Sequence, residues 1–394
     1  MYIHPGNEIG MANNGVSMSG ILCGIDRADL WLPLLKRKRV CVLTHAPAVD
    51  RTYARTADVL ARSLHVTALC GPEHGLDGLS GAGEGVGSSR DPETGLPVHS
   101  LYRDGEGGSS LSDALDQADA AVCDFSDIGS RFYTYIWSMY DAMKLCAERG
   151  VPFYVLDRPD PIGGVRCEGP LLDPRFASFV GREPIPVRHG LTLGEAALLF
   201  NRRMVPACPL TVIPVSGWDR SQEFEETGRV WIDPSPSMTG PDCARIYTGT
   251  CFLEGTNISE GRGTMHPFEI VGAPFLDPPA LSRALNSYRI PGILSVPCRF
   301  RPASGKYAGE VCGGVRFLLT DRKRAGCFEA GIRLLEILRS EVRQFEYGER
   351  ANHFDRLMGT DRFRLGEETA DEFLERGRAE SAGFRSSVRD ILLY

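Results

Sequence analysis

Short apolar runs recur along the first half of this chain, and each ends abruptly in a polar loop. Residues 39–44 read RVCVLT, 66–70 VTALC, 119–125 DAAVCDF, 152–157 PFYVLD and 210–215 LTVIPV. Segments so short and so uniformly apolar predict strands buried on both faces. Residues 96–102 (LPVHSLY) predict a further short strand. Helical spacing predicts helices over 24–35, 52–64, 111–117 and 131–149 and another from Thr192, where Thr192 and Glu195 form a capping box. Strand, helix, strand at this spacing implies parallel strands joined by right-handed crossovers. The expected fold class is therefore α/β, a Rossmann-like parallel sheet. In such sheets ligands bind beyond the carboxyl ends of the strands.

The rhythm changes near residue 240. Mixed turn-and-strand sequence follows, with strand-like 300–306 and 315–319 and helices near 324–345 and 367–378. The expected division is a disordered leader over 1–20, a Rossmann-like catalytic domain over 21–240, and a smaller α+β domain over 241–394 that contributes to the cleft. Met11 and Met18 are alternative starts. The start lacks the basic-then-apolar pattern of a signal peptide, and no run of about 18 apolar residues suggests a membrane span. A net charge of -7 argues against a nucleic-acid groove. Twelve cysteines are scattered without a Cys-x-x-Cys pair, several inside apolar strands. That usage predicts free thiols in a reducing cytoplasm.

Three strand exits carry charges that a plain turn does not need. VTALC breaks into Gly71-Pro72-Glu73-His74-Gly75, DAAVCDF into Ser126-Asp127-Ile128-Gly129, and PFYVLD into Arg158-Pro159-Asp160-Pro161. Glu73, Glu84, Asp124, Asp127, Asp160 and Glu168 are the acids expected on the rim. Two carboxylates in different environments are what glycoside cleavage requires: one gives a proton to the leaving oxygen, the other stabilises or forms the attacking group. Arg131, Tyr133 and Tyr135 cluster at one helix start, and Arg131 and Tyr135, one turn apart, are expected to face the same cleft. With Arg158, Arg188 and His189 they suit a carbohydrate carrying an anionic group. Glu254, Asn257, Glu260 and Arg262 form a dense polar loop further on. The first strand exits into His45-Ala46-Pro47-Ala48, not a nucleotide-binding glycine turn, and the alternating glycines at 81–87 are neither G-x-G-x-x-G nor a P-loop. No H-E-x-x-H or G-x-S-x-G occurs, and His74 lacks a second histidine at ligand spacing. No metal or nucleotide cofactor is expected.

The strings GPEHGLDG, SDIGSRFYTY, LDRPDPIGG, EGPLLD, FVGREPIPVRHGLTLGE, GTCFLEGTNISEGRGTMHPFEIVGAP, KYAGEVCGG and FDRLMGTD occur in that order. Together they resemble the exo-acting β-N-acetylmuramidase family of peptidoglycan hexosaminidases, from about residue 24 to the C-terminus. The resemblance implies release of N-acetylmuramic acid from non-reducing ends of peptidoglycan fragments, without metal or nucleotide. It makes Glu73 the candidate acid/base, with Asp127 and Glu84 as candidate second carboxylates; alternatively the sugar's own acetamido group attacks. Candidate substrate-binding residues are His74, Arg131, Tyr133, Tyr135, Arg158, Asp160, Glu168, His189, Glu254, Asn257, Glu260 and Arg262. Among these Arg131, Arg158 and Arg262 are the candidates for the lactyl carboxylate. The chain departs from the family pattern at Ser126, where a glutamine is usual, and in lacking the export signal of many members. The expected substrate is a recycled muropeptide or a disaccharide fragment, with no nucleic-acid or membrane partner. The alternatives are a binding protein for anionic amino sugars that has lost turnover, and a sugar-phosphate enzyme using the 81–87 glycines as a phosphate cradle.

Overall fold

A computed structural model describes residues 20–78, 89–101 and 111–394. Seven strands form the main sheet: β1 (Arg39–Thr44), β2 (His65–Gly71), β3 (Ser89–Arg90), β4 (Pro97–Ser100), β5 (Ala120–Asp124), β6 (Phe153–Leu156) and β7 (Leu210–Ile213). Their order is β3-β4-β2-β1-β5-β6-β7. Every neighbouring pair is parallel except β3 with β4. The order steps outward from β1 on both sides, so the switch point lies between β1 and β5.

Alternation along the strands explains why both faces are covered. Val40, Val42, Ala120, Val122 and Leu156 pack with Trp31 and Leu35 of α1 (Ala28–Leu35) and Ala57 and Leu60 of α2 (Thr56–Ser63). Cys41, Leu43, Ala121, Cys123, Phe153 and Val155 turn the other way. They share a core with α3 (Leu111–Asp116), α4 (Tyr135–Arg149) and α5 (Leu193–Arg203). The Thr192–Glu195 capping box starts α5 as its sequence predicts.

The remaining elements are α6 (Pro241–Thr250), β8 (Ile270–Ala273), α7 (Pro278–Ser287), β9 (Ile293–Phe300), β10 (Cys312–Leu319), α8 (Cys327–Glu341), α9 (Ala351–Met358), α10 (Arg362–Leu365) and α11 (Ala370–Ser387). Three antiparallel strands in the order β8-β10-β9 make a second, smaller sheet. Helices α6 and α8 cross at two glycines. A Cβ on Gly249 would lie 1.9 Å from the Cys327 carbonyl oxygen, and one on Gly331 1.8 Å from the Gly249 oxygen. Among the described residues no helix is long and apolar enough to cross a membrane.

Three expectations need correction. The strand placed at 300–306 lies earlier, at Ile293–Phe300. Pro297 disguised it, but β9 is an edge strand, where a missing N–H is tolerated. The helix placed at 52–64 starts at Thr56, because Asp50 accepts from the N–H groups of Thr52 and Ala54 and holds that stretch as a turn. The helix placed at 131–149 starts at Tyr135, so Arg131 is not one helical turn before it.

Candidate active site

The loop after β2 is shaped by its glycines. A Cβ on Gly71 would meet the Leu76 nitrogen at 2.6 Å, so the chain folds tightly back on itself there. His74 adopts a left-handed φ of 73°, and Gly75 follows at 80°. Positive φ at a residue with a side chain is strained, and such strain collects at functional sites. Ala46 N–H donates to the Leu76 carbonyl at 2.7 Å, joining this loop to the one after β1. Glu73 is buried, and its Oε2 accepts from the Thr134 hydroxyl at 2.7 Å.

The loops after β1 and β5 meet across the switch point. Ser126 N–H donates to His45 Nε2 at 2.9 Å, and the His45 ring packs edge-on against Phe125 and Tyr135. Burial, then the charges of Arg158 and His74, hold His45 at about 3, so it is neutral. Asp127 follows; its Oδ2 accepts from Gly129 N–H at 2.9 Å and lies 3.6 Å from His189 Nε2.

At the end of β6, Arg158 grips Asp124 with Nε at 2.5 Å and Nη2 at 2.8 Å, and Thr56 donates to the same carboxylate at 2.5 Å. Burial opposes the guanidinium charge, yet Asp124 more than offsets it and raises Arg158 above its ordinary value. Asp160 is buried, and burial pushes its carboxyl up to about 6, with Asp127 adding to the push and His189 and Arg188 opposing it.

A cleft opens here. Asp127, Arg158 and Ser126 form its polar wall, and Phe224, Trp231 and Pro234 its apolar one. Arg229 lines it too, with Nη2 donating to the carbonyls of Val49 and Asp50. Glu73 is not among the lining residues, but its charge acts on Tyr135. The Tyr135 hydroxyl donates to the Pro234 carbonyl at 2.6 Å. Burial first, then the charges of both Glu73 and Asp127, raise that hydroxyl's pKa. Tyr133 packs on Tyr135 with ring centroids 4.6 Å apart.

The other expected residues divide. Arg131 is fully buried, and its guanidinium donates to the carbonyls of Pro170, Ile185 and Leu357. To meet a carboxylate it would have to give up those carbonyls, and it does not line the cleft. Arg262 donates to Glu254 at 2.7 Å and to Ser237 at 3.0 Å, and lies over the Phe268 ring. Burial disfavours the Glu254 charge, but His353 and Arg262 hold its carboxyl down at about 2. Lys306 donates to Glu260 at 2.9 Å. Asn257 bridges the main chain at 344 and 346. Arg262, Glu254, Glu260 and Asn257 thus tie the polar loop to itself and to neighbouring segments, and none of the four lines the cleft. Glu168 pairs with Arg166 and sits 4.0 Å from Arg188. Glu84 lies outside the described residues. Among the described residues no group of three or more His, Cys, Asp or Glu could hold a metal ion.

Sequence reasoning missed His45, Thr134, Arg229 and Trp231. In the sequence His45 marks only the lack of a nucleotide-binding glycine turn. Arg229 and Trp231 sit in a stretch that reads as featureless turn. An apolar-basic string, RVWI, was the one available signal.

Comparison with known proteins agrees along the chain. Residues 40–242 match the family model described as exo-beta-N-acetylmuramidase NamZ, N-terminal, and 245–394 its C-terminal counterpart. The peptidoglycan beta-N-acetylmuramidase NamZ of Bacillus subtilis (strain 168) is 40% identical over 328 residues, 82% of this chain and 78% of that protein. Two crystal structures of DUF1343 family proteins from Bacteroides fragilis NCTC 9343 superpose with TM-scores of 0.86 and 0.73. Their identities are 30% and 29%, and each comparison covers 95% of this chain and 99% of the other.

Proposed function

This chain belongs to the exo-β-N-acetylmuramidase NamZ family, and from that premise we propose how its cleft cuts a glycoside. The enzyme is a glycosidase that releases N-acetylmuramic acid from the non-reducing end of peptidoglycan fragments. Its substrate is a carbohydrate. Glu73 is the acid/base: it protonates the leaving oxygen. Asp127, on the cleft wall, is the second carboxylate and stabilises the positive charge that develops on the sugar ring. Phe224 and Trp231 offer faces for the ring, and Arg158 gives the wall a positive charge.

The observation that supports this reading is that two carboxylates from loops after different strands, Glu73 and Asp127, act on one tyrosine hydroxyl beside the cleft. Both bear on Tyr135, at the switch point where α/β sheets bind ligands. The binding-only alternative has no such use for two acids. Incubating the protein with a chromogenic β-N-acetylmuramide and its N-acetylglucosaminide counterpart tests the reading. Release from the muramide is expected, at a rate well above that from the glucosaminide. Binding of the muramide without release would support the alternative.

We also place the enzyme in a reducing compartment, the cytoplasm, acting on fragments rather than intact wall. All twelve cysteines are free thiols, ten of them buried, which suits that setting. Cell fractionation with an antibody to this chain tests it; recovery outside the cytoplasmic fraction would contradict it.

A further inference from the structure

At the cleft wall, three side chains present buried polar atoms that the protein leaves unmatched. Asp127 Oδ1, Asp160 Oδ2 and His189 Nε2 have no hydrogen-bond partner. They come from three segments: the loop after β5, the loop after β6, and the stretch preceding α5.

Gly129 brings them together. Its N–H donates to Asp127 Oδ2 at 2.9 Å, and its carbonyl accepts from His189 N–H at 3.3 Å. A Cβ at Gly129, where φ is 78°, would fall 2.5 Å and 2.9 Å from the two Asp160 oxygens. Only glycine lets the Asp160 carboxyl close on the Asp127 loop. The His189 ring is fixed in one tautomer. Its Nδ1 accepts from Leu191 N–H at 3.2 Å, which leaves the proton on Nε2, 3.6 Å from Asp127 Oδ2. Two acceptors and one donor are thus left unmatched around Gly129, the complement of one water molecule making three hydrogen bonds.

We propose that Asp127, His189 and Asp160 hold one buried water and act as a single proton-sharing unit, in which Asp127 reaches the substrate and the other two are positioning residues. The proposal rests on the glycosidase reading above. Two carboxyl groups in one pocket do not both ionise readily. Asp160 is the one that keeps its proton longer, since burial pushes it up to about 6. The charged groups around the unit are Arg188, which sits 4.0 Å from Glu168 and 3.9 Å from Glu223, and the unit's own members. Tyr133 and Tyr135 feel the Asp127 charge from the α4 side.

Profiles of kcat/KM against pH for wild type, Asp160→Asn and His189→Gln test this. In wild type the ionisation of Asp160 at about 6 should put a step on the acidic limb, and Asp160→Asn should remove it. Removing the ionisable ring should move the limb to higher pH. A purely structural role would lower the plateau in both variants and leave the limb in place, and that result would overturn the proposal. If wild type shows no turnover, the glycosidase reading fails first, and the unit is then judged without catalysis. The chemical shift of the His189 Nε2 proton, read at one pH, should differ between Asp160→Asn and wild type, and identical shifts would overturn the proposal on their own.

Discussion

At Asp124 and Asp157, two acids at the ends of neighbouring strands, partners decide opposite outcomes. Asp124 is locked to Arg158 by two hydrogen bonds in a buried setting. Removing one partner leaves the other charge buried alone, which costs about 3–5 kcal/mol. Asp124→Ala should therefore lose about that much stability in urea unfolding; a loss under 1 kcal/mol would mean the pair is well hydrated. Asp157 accepts from Gly194 N–H at 2.7 Å and from the hydroxyls of Thr192 at 2.7 Å and Tyr394 at 2.8 Å. Burial outweighs those bonds and pushes its carboxyl up to about 7. An acid raised on folding stays protonated in the fold while the unfolded chain ionises near its usual value of about 4. Stability from this group is thus full below about pH 4 and is lost as pH rises to about 7. Asp157→Asn should flatten that dependence in thermal melts from pH 4 to 7, and an unchanged slope would contradict the assignment. Residue identities were legible here, but roles were not. Arg131 and Arg158 look alike in sequence, and only their partners, carbonyls for one and Asp124 for the other, separate a carbonyl clamp from a cleft wall.

Strand exits fix the site at the level of elements. The sheet was readable because each strand is a compact apolar run whose alternate residues feed two cores. What was hidden are elements whose formation depends on partners: β9 with its internal proline, and α6, whose packing against α8 needs glycine on both sides. Gly331→Ala puts a methyl into the Gly249 carbonyl. Overpacking of this kind costs about 1–3 kcal/mol, and a backbone clash belongs at the upper end. Denaturant melts should show that loss; wild-type stability would mean the helices separate freely. The loop after β2 was legible as a site because Gly71 and Gly75 bracket two titratable residues. Its reach towards Tyr135 was not, since that contact joins segments some sixty residues apart, as in the bond from Thr134 to Glu73.

Across the whole molecule one apolar core runs from Cys41 and Cys123 in the main sheet through Phe200 and Phe252 to Phe328 and Phe373. The buried Arg131 stitches the same regions together through carbonyls at 170, 185 and 357. Such unity explains how loops distant in sequence hold a fixed geometry over the cleft. It also sets the strongest test, because a catalytic residue should be removable without loosening this frame. General acid catalysis contributes about 10²–10⁴-fold. The turnover of a chromogenic β-N-acetylmuramide by Glu73→Gln, measured beside its melting temperature, should fall by that factor while melting stays within a few degrees of wild type. Wild-type turnover in that variant would remove Glu73 from the chemistry and contradict the account.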